Sequence, residues 1–184
     1  MNYNNNWLIK KYQQDERIQF LFFWGHQPAK DGSITKSCFS QWWLAPFEVG
    51  GIVYKTAEHW MIAEKARLFN DNAALEQIIE AKTPAEAKNG SRQIKNFVAE
   101  IWDKEKFDIV VRGNAYKFTK HPELKTFLLG TKDRVLAEAS PVDNIWGIGL
   151  EASSPVVENP PAWKGENLLG YALMEVRDQL RRIA

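Results

Sequence analysis

The stretch "YKTAEHWMIAEKARLF", residues 54 to 69, sets a carboxylate and an amine on one helical face. Glu58 and Lys65 are seven residues apart, about two turns of an α-helix, so they project from nearly the same side with Met61 and Ile62 between them. At the edge of an apolar stripe both groups lose water. Desolvation disfavours the charged form, raising a glutamate pKa and lowering a lysine pKa, which suits a general acid/base and a nucleophilic amine. The same spacing also describes a glutamate placed to favour a helix N-terminus and a lysine in solvent. Spacing alone leaves both readings open.

Other catalytic toolkits lack their signatures. His59 has no partner at metal-ligand spacing, His26 and His121 are distant in sequence, and no Cys-x-x-Cys or His-Glu-x-x-His run occurs, so no metal site is expected. Gly147-Ile148-Gly149 lacks the third glycine of a dinucleotide fingerprint, and neither a P-loop nor Gly-x-Ser-x-Gly is present. Carboxylates, lysine and aromatic surfaces remain. Those suffice to cleave a glycosidic bond, because carboxylates stabilise an oxocarbenium-like transition state and move protons without metal or cofactor.

The aromatic content fits such a site. Of 8 Trp, several stand beside Gly, Asn or His, as in Trp24-Gly25-His26, Asp143-Asn144-Ile145-Trp146-Gly147 and Trp163-Lys164-Gly165. A Trp in a glycine-containing loop offers a stacking face and one N–H donor, so these are candidates to line a cleft, with core packing as the alternative. The segment "WKGENLLG" opens a helix at Asn167, whose N-terminus could hold a phosphate or simply carry an Asn cap. Arg92 and Arg112 are phosphate candidates or surface residues.

These groups need elements to position them. "IQFLFFWGH" reads as a buried strand, and "FEVGGIVYK" as two short strands joined at Gly50-Gly51, a dipeptide suited to a two-residue hairpin. Thr56 caps the helix carrying Glu58, which ends at Asn70 to Asn72. "NAALEQIIEA" is a second short helix, and Thr83-Pro84-Ala85-Glu86 has the form of a capping box with Pro at the first helical position. A longer helical region covers roughly 94 to 119, and another helix starts at His121-Pro122-Glu123 and ends near Gly130. "RVLAEAS" reads as a strand leading into the loop from Asp143 to Gly149, and "EASSPVVENPPAW" as a mobile loop, with residues 151 to 162 a candidate lid. The last segment is amphipathic, with Leu169, Ala172, Leu173, Val176 and Leu180 on one face. The expectation is a mainly α-helical α+β fold with a small antiparallel sheet: a polar, mobile lead-in over 1–17 and a single domain over 18–184.

Composition sets outer bounds. The 184 residues, 45% hydrophobic and 26% charged, are ordinary for one globular domain. With 24 Lys plus Arg against 23 Asp plus Glu, broad nonspecific binding to nucleic acid is disfavoured, while a small anionic ligand is not. Cys38 is the single cysteine, which excludes an intrachain disulfide and fits a reducing, cytoplasmic setting. No signal-peptide core or membrane-length apolar run is seen.

Taken in order, "FFWGH", "FSQWW", "FEVGGIVY", "AEHWMIAEKA", "KFTKHPELKTFLLGT", "LAEAS…DNIWGIGL" and "GENLLGYALMEVRDQL" resemble the NADAR (YbiA-like) family from about residue 20 to 182. The resemblance implies a compact, mostly helical α+β fold and cleavage of an N-glycosidic bond. The substrate it implies is a small nucleotide-like molecule, an early ribosylamino-pyrimidine phosphate intermediate of riboflavin synthesis. An alternative is ADP-ribose on guanine in nucleic acid, or a non-catalytic ADP-ribose-binding role. No cofactor is implied.

Matched residue by residue, Glu58 and Lys65 fall on the family's glutamate and lysine, and Asp143 lies in the acidic stretch before the Trp146-Gly147 pair. Asn167 and Gly170 fall on its G-x-N-x-L-G motif. Glu58, Lys65 and Asp143 are thereby the catalytic candidates. Trp24, Gly25, Trp60, Arg92, Arg112, Trp146, Gly147 and Asn167 are the substrate-binding ones. Trp60 replaces a usual Tyr or Phe, Ile62 a frequent Gln, and Gln41 a common Asn.

Overall fold

Asn4 starts helix α1 (Asn5–Gln13) by accepting the Trp7 N–H at 2.8 Å, and Leu8 is fully buried. The lead-in expected to be mobile therefore carries a packed helix. Its anchors are Leu8 and Asn5, whose amide donates to Gly165 O and whose Oδ1 accepts the Tyr171 hydroxyl. Its apolar residues Trp7, Leu8 and Ile9 are consecutive, so they mark no single helical face and give no periodicity to read.

The computed structural model describes residues 1–183, and the chain groups into two compact units, one of Met1–Ser40 with Glu123–Ala184, the other of Gln41–Pro122. Strand β1 (Phe20–Phe23) belongs to the first. The second opens with the hairpin of β2 (Phe47–Val49) and β3 (Ile52–Tyr54), antiparallel in the register Phe47↔Tyr54. Gly50 and Gly51 take φ of +59° and +80°, the paired left-handed turn that only glycine adopts without strain.

Helix α2 (Ala57–Leu68) follows, capped by Thr56 as expected, then α3 (Asn72–Glu80), α4 (Pro84–Gly90) and the long α5 (Ala99–Lys120). Thr83 Oγ1 accepts the Glu86 N–H, but the Glu86 carboxylate reaches one residue further back than a capping box requires, to the Lys82 N–H at 2.7 Å. Helices α3, α4 and α5 and strand β3 all pack on α2. Consequently α2 is no surface amphipath: Ala57 to Ala63 are all buried. A helix surrounded by other elements needs no polar face, and its polar residues are buried with the rest.

The first unit resumes with α6 (Pro122–Leu129), β4 (Val135–Glu138) and α7 (Leu168–Ile183). Strand β4 pairs with β1 in parallel, Phe20↔Val135 through Phe23↔Glu138, a pairing beyond the expected antiparallel sheet. Parallel strands need a long crossover, and no short-range signal announces one. Helix α7 packs on β4 with Leu169, Ala172, Leu173, Val176 and Leu180 all buried, as its periodicity predicts. The Pro-rich loop is pinned: Val157 is buried with Ala137, Ala139 and Ile148, and its carbonyl accepts the Trp163 indole N–H at 2.8 Å. Among the described residues no helix is long and apolar enough to cross a membrane.

Candidate active site

In the second unit the polar groups gather around the start of α2. Glu58 is 4% exposed, and its backbone N–H donates to Gln41 O at 2.9 Å. Glu58 stands in the first turn of α2, where a carboxylate favours the helix N-terminus, and is withdrawn from solvent there. Gln41 is itself buried, and its Oε1 accepts from Asn114 Nδ2 at 2.7 Å, while the same Asn114 amide also donates to Val110 O. Asn114 and Lys117, three residues apart on α5, are fully buried, and Lys117 Nζ lies 5.2 Å from the Phe118 ring centre. Neither was singled out from the sequence. The available signal was that both interrupt the apolar run Ile109, Val110, Phe118 at helical spacing, where a buried polar group must find partners.

Lys65 stands two turns beyond Glu58. It is half-buried, with Nζ 4.3 Å from the centre of the Phe97 ring and 5.2 Å from that of Trp102. Loss of water around the amine holds it below the ordinary lysine range. The two rings favour the ammonium, so desolvation and cation–π attraction oppose one another, and desolvation sets the direction. Phe97 and Trp102 were missed because nothing in the sequence links the start of α5 to the end of α2.

His59, next to Glu58, is held through both ring nitrogens, and burial favours its neutral form. Its Nε2 faces Ala81 O at 3.2 Å, and since a carbonyl only accepts, Nε2 carries the proton; Nδ1, 2.8 Å from Thr56 Oγ1, then accepts from the hydroxyl. Burial holds its pKa below the usual histidine range, with the Ala81 hydrogen bond opposing.

Of three further sequence candidates in this unit, two have other occupations and the third is exposed. Trp60, expected to line the pocket, is 4% exposed; its indole N–H donates to Ile109 O at 2.9 Å and its ring packs between Tyr54 and Tyr116, at 5.1 and 5.3 Å. It is core. Arg112 pairs with Glu64 at 3.5 Å, and Glu64 also holds Arg67, whose other nitrogen donates to Tyr54 Oη at 2.7 Å. Arg92 is exposed in the 3-10 turn Ser91–Gln93.

The remaining candidates lie in the first unit. Trp24, directly after β1, is 57% exposed beside Gly25, which takes φ +80°. Asp143 Oδ1 accepts the N–H groups of both Ile145 and Trp146, at 2.9 and 2.7 Å, an arrangement that folds the loop. Trp146 is half-buried. Gly147 is enclosed: a β-carbon there would come within 3.0 Å of Glu138 O and Asp143 O. Asn167 was expected to cap α7 or meet phosphate. Instead it is fully buried at φ +54°, accepting the Glu138 N–H and donating to Leu136 O, both at 3.0 Å, so its amide straps the end of β4 to the start of α7. Among the described residues no group of three or more His, Cys, Asp or Glu is placed to hold a metal ion.

A buried carboxylate, a desolvated amine two turns along one helix and a mainly helical α+β frame define a class that comparison with known proteins identifies. The chain belongs to the NADAR domain family, whose model matches residues 22–181. It is 40% identical over 169 residues to an N-glycosidase of Acanthamoeba polyphaga mimivirus, covering 89% of this chain and 98% of that protein. N-glycosidase YbiA of Escherichia coli (strain K12) is 32% identical over 144 residues, 78% of this chain and 79% of that one. The NMR structure of E. coli YbiA shares the fold with a TM-score of 0.72 at 28% identity, covering 91% of this chain and 88% of that one.

Proposed function

We propose that this chain is a metal-independent N-glycosidase that hydrolyses the bond between a ribose carrying phosphate and its nitrogen base, acting on the early ribosylamino-pyrimidine phosphate intermediates of riboflavin synthesis. The observation that carries the reading is the pair on α2: Glu58 withdrawn from water and Lys65 with its amine partly desolvated. Similarity over most of the chain to proteins named N-glycosidases supports the reaction class.

In this reaction the C1′–N bond breaks, the base leaves with a proton, and a water oxygen ends on C1′. Glu58 delivers the proton to the leaving nitrogen and afterwards accepts one from water, the acid-then-base role a buried carboxylate can take. Lys65 supplies the amine that attacks C1′ as the base departs. The glycosylamine so formed opens its ring to an imine, which water cleaves to release the sugar and restore the amine. Arg92, exposed, is available to the phosphate. Asp143, whose carboxylate folds its own loop, is assigned to positioning and not to proton transfer.

Mass spectrometry tests this directly. Wild type, Glu58→Gln and Lys65→Ala are incubated with a ribosylamino-pyrimidine phosphate and, separately, with an oligonucleotide bearing ADP-ribose on guanine. Release of ribose phosphate from the first by wild type alone is the expected result. Release only from the oligonucleotide transfers the activity to an ADP-ribosyl substrate, and survival of both substrates overturns the glycosidase reading.

A further inference from the structure

Lys65 stands half-buried on α2 without the partners such a cation usually has. Among the described residues its amine forms no ion pair and no hydrogen bond. The charged groups around it are engaged elsewhere: Glu64 with Arg67 and Arg112, Asp103 with Lys106, Asp71 with the backbone N–H groups of Ala74 and Lys95, and Glu86 with the Lys82 N–H. Glu100 and Glu105, which flank Trp102 on α5, are exposed, as are Glu76 and Glu80 on α3. Burial is accordingly the single cause of the lowered Lys65 pKa. What meets the amine is aromatic, with Phe97 and Trp102 at 4.3 and 5.2 Å from ring centre to Nζ.

Each ring is braced from a different side. Asp71 Oδ2 accepts the Lys95 N–H at 2.8 Å, and Asn96 then turns the chain at φ +56°, a left-handed conformation that Asn tolerates better than most residues. Phe97 is thereby returned against Phe69, which ends α2, with ring centres 5.2 Å apart and edge to face. Trp102 stands in the first turn of α5, the helix packed across α2. Phe97 is 44% exposed, and Trp102 and Lys65 are half-buried, so the cradle is open to the surface of this unit.

We infer that Phe97 and Trp102 are positioning residues for the proposed reaction: the two rings hold the Lys65 amine in one place and unpaired, ready to attack C1′ without first leaving a carboxylate. The inference rests on Lys65 being the nucleophile. An ammonium on a flexible four-carbon stem ordinarily wanders or pairs with an acid, whereas a ring face within about 6 Å attracts it without an ion pair that must break before the proton is lost. The rings also displace water from the amine, and that desolvation outweighs their attraction for the ammonium.

The test reads Lys65 directly and through turnover. In wild type the rings should shift the Lys65 Hε resonances upfield. The Lys65 Cε signal, identified by its absence in Lys65→Arg, should titrate with a midpoint below 10.5. In Phe97→Leu and in Trp102→Leu the ring shift should shrink and the midpoint should rise towards 10.5, because the amine regains water. Each unit of that rise should lower the free amine, and with it kcat on a ribosylamino-pyrimidine phosphate near neutral pH, about tenfold, with KM held within about twofold. Trp102→Phe, which keeps a ring, should recover most of the loss. A midpoint that stays or falls in one leucine variant removes that ring from the role, and in both it overturns the inference. So does Trp102→Phe behaving as Trp102→Leu does, or KM rising as far as kcat falls. Lys65→Ala separates the two readings. Activity retained there removes the nucleophile and the inference with it; activity lost there, with wild-type titration and turnover in both leucine variants, removes the inference alone.

Discussion

Gly113 on α5 lies directly beneath the indole of Trp60 on α2: a β-carbon there would overlap Trp60 Cδ1 and come within 2.9 Å of Nε1. The close approach lets the Trp60 N–H reach the Ile109 carbonyl one turn earlier on α5. Gly113→Ala gains helix propensity worth about 1 kcal/mol and loses more to overpacking, about 1–3 kcal/mol. A net loss of stability in urea titration is expected, and Trp60→Phe in the same chain should relieve part of it.

Glu58→Gln keeps the shape of the buried side chain and removes its proton chemistry. We expect kcat to fall by about 10²–10⁴-fold with a far smaller change in KM, measured by base release. Equal loss in binding and rate would reduce Glu58 to positioning substrate.

Lys65 as nucleophile predicts a trappable imine. Borohydride added during turnover should leave a sugar adduct on the tryptic peptide containing Lys65, absent in Lys65→Arg. Because burial lowers the amine's pKa, the rise of the single-turnover rate with pH should have its midpoint below the ordinary lysine value of 10.5. A rate independent of Lys65 protonation would remove the imine step.

Asp143 separates by conservative substitution. Asparagine can still accept the Ile145 and Trp146 N–H groups, so Asp143→Asn should keep activity within a few-fold. Asp143→Ala should lose both bonds, about 1 kcal/mol each, and with them the loop. A large rate loss in Asp143→Asn would return this carboxylate to catalysis.

His59 links folding to pH. Its pKa is lowered in the folded state, so above the unfolded value of 6.5 both states are neutral and the full stability is present. As pH falls below 6.5 the unfolded chain binds the proton first, and stability declines until the folded-state pKa is passed. His59→Gln should flatten that part of the stability–pH curve, measured by denaturant midpoints from pH 7 to 5.

Local signals in the sequence correspond to local features of the fold. Gly50-Gly51, the Thr56 cap and the apolar stripe of α7 each act within a few residues, so propensity and periodicity suffice to place them. Burial of Glu58 depends on α3, α4 and α5 closing around α2, and no window of sequence contains that information. Asn167 shows the same limit from the other side. Its motif position marks it as special, yet a helix cap and a strap between β4 and α7 ask for the same residue type. Trp60 misleads for a related reason, since a Trp that lines a pocket and one that fills a core differ only in what lies opposite.

The parallel pairing of Phe20 with Val135 has a consequence for how the chain is made. Strand β1 leaves the ribosome before the entire Gln41–Pro122 unit and has no strand partner among the described residues until β4 follows it. The inserted unit, whose contacts lie within one continuous stretch, can fold while synthesis continues. In the interval Phe20, Leu21, Phe22 and Phe23 form an unpaired, apolar edge, the kind of segment that chaperones bind and that aggregates when they do not. The nascent chain is therefore most vulnerable after its middle has folded and before its end has emerged.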